Sequence, residues 1–278
     1  MTIMIMGGMP MLEYEFMRNA LAGGALVAIV SSVVGYFLVL RGQTFAGHAL
    51  SHTGFAGATA AVLIGIPPLW GLVSFTLGAG VAMGLLGERI SGRDVAIGMV
   101  LSLSLGFGLL FLHFYTAYAT AATAVLFGNV LAIDRETLMT LAGLGIVALG
   151  ALALISRPLL FASLQPELAQ ARGVSLTLVG TLFLMIVAIA TAEAAQIVGV
   201  LLVFTLMVGP AAAAQCLTTR IWSGIALSVA LALVEALGGI ALAYYTDWPS
   251  SFCITALTGL IYFAASMAPR WRMKVSFR

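Results

Sequence analysis

The chain has 278 residues, 62% of them hydrophobic and only 8% charged, with a formal net charge of +2 and a mean hydropathy of +1.13. Soluble domains carry about 25% charged residues, so this composition excludes a water-soluble enzyme or a nucleic-acid-binding protein. It requires a lipid bilayer as solvent.

The first residues, 1–11, are apolar and rich in methionine but lack the basic flank of a signal peptide. Residues 1–15 are expected to form an N-terminal extension ahead of one transmembrane domain, 16–268, followed by a basic tail, 269–278. Charged and Pro/Gly clusters divide that domain into nine candidate spans near 16–40, 44–65, 69–87, 94–113, 137–156, 175–192, 196–217, 222–245 and 250–268. Each approaches the roughly 20 apolar residues that cross a bilayer. The apolar piece 121–133 is too short to cross and reads as a re-entrant helix. The 31 glycines are scattered through the apolar helices, as in bundles where small residues let backbones approach. The expected fold is therefore an all-α polytopic membrane protein of eight to nine transmembrane helices, with a short re-entrant helix and one short helix in a loop.

Basic residues orient these spans. With the tail inside and nine spans, Arg41, Arg89, Arg93, Arg157, Arg172, Arg220, Arg270, Arg272, Lys274 and Arg278 share the cytoplasmic side. Only Arg18 and Arg135 fall outside, so the N-terminus is placed outside. The longest charged cytoplasmic stretch is then 157–173. Near 163–173 it holds a short helix, opened by Pro166 and closed by Gly173. Such a helix either caps the bundle or docks a cytoplasmic partner.

Two of the three histidines, His48 and His52, lie four residues apart at the head of the second span. That spacing puts both imidazoles on one helical face. Histidine within a span marks a functional site facing a cavity or pathway, and neutral imidazole binds late first-row metals. Ser51 lies on the same side. Two ligands cannot hold zinc as a closed four-ligand site does, which suits transit and release. The bland alternative is a pair of packing histidines. Glu235, deep in the eighth span, reads as a further oxygen ligand or proton acceptor, as a partner of one of the histidines, or as a packed carboxyl. Glu193 and Asp247, placed at the outer ends of spans six and eight, read as solvated interfacial acids or as an outer mouth that concentrates cations.

Enzyme signatures are missing. The histidine pair has Ala49 where an H-E-x-x-H metalloprotease needs glutamate, and the only lysine, Lys274, excludes a Walker A loop. ATP, where it drives this protein, is hydrolysed on another polypeptide. Cys216 and Cys253 form neither a CxxC motif nor a disulfide framework.

Five segments carry a family resemblance: Val39-Leu40-Arg41 with Gly47-His48-Ala49-Leu50-Ser51-His52; Ala96-Ile97-Gly98-Met99-Val100; Leu126-Phe127-Gly128-Asn129; Val198-Gly199-Val200-Leu201-Leu202 with Gly209-Pro210-Ala211-Ala212; and Tyr244-Tyr245-Thr246-Asp247-Trp248-Pro249. In this order the chain resembles the membrane permease subunit of the zinc/manganese/iron class of ATP-binding cassette importers. The resemblance implies a permease homodimer in the bacterial cytoplasmic membrane, above a cytoplasmic ATPase dimer and below an extracytoplasmic metal-binding protein. It implies that His52 lines the metal pathway and that His48 replaces an aspartate. Loss of that hard oxygen ligand tilts the expected cargo toward zinc, with manganese next. It also implies a coupling helix carrying Pro166, Glu167, Ala169, Arg172 and Gly173, and no permanently bound cofactor. The rival expectation is an ATP-independent secondary transporter or channel using Glu235 and the histidines.

Overall fold

The computed structural model describes residues 13–86, 93–114, 126, 128, 130 and 133–268. The extension up to residue 12, most of the re-entrant piece, Arg89 and the basic tail lie outside the described residues. Among those described, the chain forms ten helices and no strand: α1 (Glu15–Leu40), α2 (Thr44–Leu63), α3 (Pro68–Leu86), α4 (Arg93–Phe114), α5 (Arg135–Leu164), α6 (Pro166–Ala171), α7 (Leu176–Val198), α8 (Val200–Leu217), α9 (Ile221–Thr246) and α10 (Ser250–Met267). Each of the nine expected spans falls on one of the long helices. Seven of these are long and apolar enough to cross a membrane. α2 is not among them, because His48, His52 and its serine and threonines dilute its hydropathy. α8 contributes a shorter apolar stretch, Leu202–Leu217.

The core is built around α1 and α7. In α7, 78% of the apolar window is buried, against 17% in α4, so α7 is a central helix and α4 a peripheral one. Backbone hydrogen bonds closed within each helix make this arrangement possible without water. α2 and α3 meet backbone to backbone at Gly57 and Gly71, where a side chain on either would strike the other's carbonyl. That is the small-residue packing membrane bundles rely on.

Two junctions shape the functional end. α1 closes in a Schellman motif: Gly42 sits at φ +62°, its N–H donates to the Val39 carbonyl at 3.0 Å, and the Gln43 N–H donates to Leu38 at 3.0 Å. Gln43 is at the same time the N-cap of α2. A second motif of the same kind closes α6, where Gly173 N–H donates to Gln170 and Val174 N–H to Ala169, both at 3.0 Å.

The structure differs from the sequence expectation in two places. Residues 157–164, read as the start of a loop, continue α5 through Pro158 to Leu164. A helix of 30 residues is about 45 Å long, more than the hydrocarbon core of about 30 Å, so α5 is longer than the apolar layer is thick. The sixth span does not stop before Glu193; α7 runs on to Val198 and breaks at Gly199. That break is buried, with Val198 and Val200 at the core.

Candidate functional site

His48 and His52 occupy the second and third turns of α2, and the helix brings them together. Their ring centroids lie 4.6 Å apart at 81°, and Phe204 on α8 stacks edge-on against His48 at 5.2 Å. Both are partly exposed, whereas Ala49, Leu50, Ser51 and Thr53 around them are buried. With Phe45, 41% exposed, they form the open stripe at the start of α2. No hydrogen bond reaches either imidazole among the described residues, which leaves ring nitrogens available to a cation.

Ser51 turns away from that role. It is buried, and its hydroxyl donates to the His48 carbonyl at 2.7 Å. Glu235 is not brought to the pair either. It is fully buried, and one carboxylate oxygen accepts a 2.7 Å hydrogen bond from the Thr258 hydroxyl on α10, while Oε1 has no partner among the described residues. Thr258 itself lies against Gly209 of α8, so Glu235 sits in the seam of α8, α9 and α10.

Glu193 departs from its expected place at a solvated mouth. It is 0% exposed, neither oxygen has a partner among the described residues, and a side chain on Gly145 of α5 would meet its two oxygens at 3.2 and 3.4 Å. The reason is the length of α7, which carries Glu193 more than a turn inside its end among Ala190, Ala192, Ala194 and Ala195. Asp247 is exposed and caps α9 in the left-handed region at φ 56°. Among the described residues, no three His, Cys, Asp or Glu side chains gather to hold a metal.

α6 presents Pro166, Glu167, Leu168, Gln170 and, beyond it, Arg172 and Gly173 as an exposed surface. Ala169 points the other way and is fully buried, seating the helix on α5 and α7. Sequence reasoning missed one residue at this end. Arg41 Nη1 donates to Ser163 Oγ at 2.8 Å, and its guanidinium lies 5.5 Å from the Phe183 ring centroid. The basic residue was legible, but its partners, far along the chain, were not.

A bundle of long apolar helices with a polar pair opening from one of them and an exposed short helix at one end is the architecture of a transport protein's membrane component. The chain matches the ABC 3 transport family over residues 13–269 and belongs to that family. It is 30% identical, over 94% of its own length and 93% of the relative's, to the manganese import system permease protein ScaB of Streptococcus parasanguinis. It is 29% identical, over 91% and 87% of the two chains, to the manganese transport system membrane protein MntC of Halalkalibacterium halodurans. The solved structure of PsaBC from Streptococcus pneumoniae in complex with Fab matches with a TM-score of 0.83 at 26% identity, covering 95% of both chains. The ScaB and MntC names specify manganese, so the expected preference for zinc finds no support in them.

Proposed function

We propose that this chain is the permease subunit of a binding-protein-dependent ABC importer that carries a divalent transition metal across the bacterial cytoplasmic membrane. The observation that carries the reading is the His48–His52 pair: two imidazoles 4.6 Å apart, partly exposed and, among the described residues, free of hydrogen-bond partners on a helix with no charged side chain. Stripping a cation of water in a low-dielectric path costs several kcal/mol unless ligands replace the hydration shell. One chain offers two such ligands. A second copy of the permease doubles them, which reaches the four of a closed site without a tight site existing in either chain alone.

Manganese ranks first as cargo because of the relatives' names, and zinc second because imidazole in place of a carboxylate favours the later metal. The transmembrane domain is 16–268, with the N-terminus outside and the basic tail in the cytoplasm. The exposed face of α6 docks a cytoplasmic ATPase dimer, the extracytoplasmic side receives a metal-binding protein, and this chain holds no permanent cofactor. Glu193 and Asp247 do not form a common acidic mouth in this reading. Transport through Glu235 without ATP is disfavoured by its place in the α8–α9–α10 seam, bonded to Thr258.

The test is uptake of radiolabelled manganese and zinc by proteoliposomes holding the full complex. His48→Ala and His52→Ala are expected to abolish uptake at normal complex abundance, and His48→Asp to shift preference toward manganese. Wild-type uptake by all three variants sinks the pathway assignment. Uptake that persists without ATP supports the secondary-transporter alternative instead.

A further inference from the structure

The geometry points to Arg41 as a positioning residue that ties the ATPase-docking end of the bundle to the helix bearing His48 and His52; this inference rests on the reading of α6 as the docking helix. Arg41 is the C-cap of α1. Only Gly42 and Gln43 separate it from α2, and both are fixed by the Schellman hydrogen bonds to Val39 and Leu38. Gln43 then accepts the Ala46 N–H at 3.0 Å and the Gly47 N–H at 3.3 Å, one residue short of His48. A displacement of the Arg41 guanidinium therefore has no slack to absorb it before the first turn of α2.

Among its contacts, the guanidinium reaches three further groups. Nη1 donates to Ser163 Oγ at 2.8 Å, Nε donates to Gln43 Oε1 at 3.4 Å, and the cation faces the ring of the buried Phe183 on α7. Ser163 is not a passive acceptor. Its hydroxyl donates in turn to the Leu159 carbonyl of α5, so the pull on its oxygen is passed to the helix backbone. It lies two residues before Gln165, the N-cap of α6. Phe183 lies on the helix that follows α6. The helix leading into α6, the helix leading out of it and the turn leading into α2 thus converge on one side chain.

A basic residue at a membrane boundary needs no such arrangement, since snorkelling to water satisfies it. What the fork of a guanidinium adds is several donors held in one plane. α2 packs chiefly on α3 and α4, less on α7 and α8, and hardly touches α1; Arg41 adds to that packing a polar tie from the turn that opens α2 to α5 and to Phe183 of α7. Movement of α6 driven by a docked ATPase reaches the histidine-bearing helix by this tie. The role is mechanical: Arg41 contacts no cargo and binds no nucleotide.

The experiment uses the full complex in proteoliposomes and reads two rates together, ATP hydrolysis and import of radiolabelled manganese or zinc. Arg41→Gln is expected to keep complex abundance and basal hydrolysis within about twofold of wild type. Metal imported per ATP falls at least tenfold, because a charge-assisted hydrogen bond and the ring contact are both lost. Arg41→Lys, which keeps the charge without the fork, restores only part of that ratio. Ser163→Ala lowers it about threefold. Adding Ser163→Ala to Arg41→Gln changes nothing further, the signature of two residues acting through one contact.

An Arg41→Gln complex that imports with wild-type stoichiometry overturns the inference, as does a loss of import matched by an equal loss of abundance and hydrolysis. Leu168→Glu, on the exposed face of α6, separates this outcome from failure of the docking reading. If Leu168→Glu still captures and stimulates the ATPase, the docking reading fails and the tie with it. If it blocks capture while Arg41→Gln stays coupled, only the role of Arg41 falls.

Discussion

The polar groups inside the apolar body fall into two kinds. His48 and His52 remain partly open, in line with the exposed Phe45 on one face of α2. Glu193 and Glu235 are sealed at 0% exposure, one among the alanines of α7 and the other in the α8–α9–α10 seam. All four side chains carry chemistry that binds cations, so residue type alone does not separate a pathway from an interior. What separates them is access: a group that handles cargo must face a surface along which cargo travels, whereas a sealed group must be satisfied by its own neighbours or bear the penalty of burial.

The largest effect is expected where access and chemistry coincide. The double variant His48→Ala/His52→Ala should lower metal uptake by at least about tenfold, equivalent to about 1.4 kcal/mol, with the melting temperature of the purified protein unchanged. Partly exposed imidazoles without hydrogen-bond partners contribute little to the fold, so a large drop in melting temperature would place them with the sealed groups.

The sealed groups should show the converse. Thr258→Val removes the one donor to Glu235 Oε2 and leaves that buried acceptor unsatisfied, a cost of about 1–3 kcal/mol read in a thermal melt. Glu235→Gln keeps an oxygen for Thr258 and should stay near wild type in both stability and uptake. Glu193→Met should raise stability by about 1–3 kcal/mol, because two partnerless oxygens give way to a chain that packs. Uptake should remain within about twofold. A Glu193→Met protein that melts higher but no longer imports would break the division, since it would show a sealed acid held in place for the transport cycle.

The histidine pair was legible because a spacing of four residues dictates a shared face whatever surrounds the helix. α6 was legible from Pro166 and Gly173, local signals for the start and end of a helix. The inward turn of Ala169 was not, since it depends on how the helix lies across α5 and α7. Arg157 and Pro158 suggested the end of a span, yet α5 passes through them. A proline removes one backbone hydrogen bond, and the helix tolerates that loss near its end. Glu193 was misplaced because a charge was taken as the edge of the bilayer. The better signals were the alanines at 188, 190, 192, 194 and 195 and Gly199 beyond them, which mark close helix packing followed by a break. Ser163 stands 122 residues from Arg41, and no local pattern joins them.

A third acid supplies the smallest expected effect and a check on the ranking. Asp134 lies just outside α5 as its N-cap, accepting the Thr137 N–H at 2.9 Å. Hydrogen bonding from the Thr137 side chain and then from its backbone N–H holds the Asp134 carboxyl below its ordinary range. A depressed acid lends stability that is present above its unfolded value, about 3.9, and is lost as pH falls through that value toward the lower folded one. Because Asp134 is fully exposed, solvent screens the interaction and its loss should barely move the melt. Asp134→Ala removes both the cap and its pH dependence, whereas Asp134→Asn keeps an acceptor for Thr137 and removes only the pH dependence. Thermal melts from pH 6 to pH 3 should therefore rank Asp134→Ala well below Thr258→Val, with Asp134→Asn nearly flat across the range. If Asp134→Ala destabilises as much as Thr258→Val, burial does not order the polar groups of this protein, and the separation of open pair from sealed acids loses its physical basis.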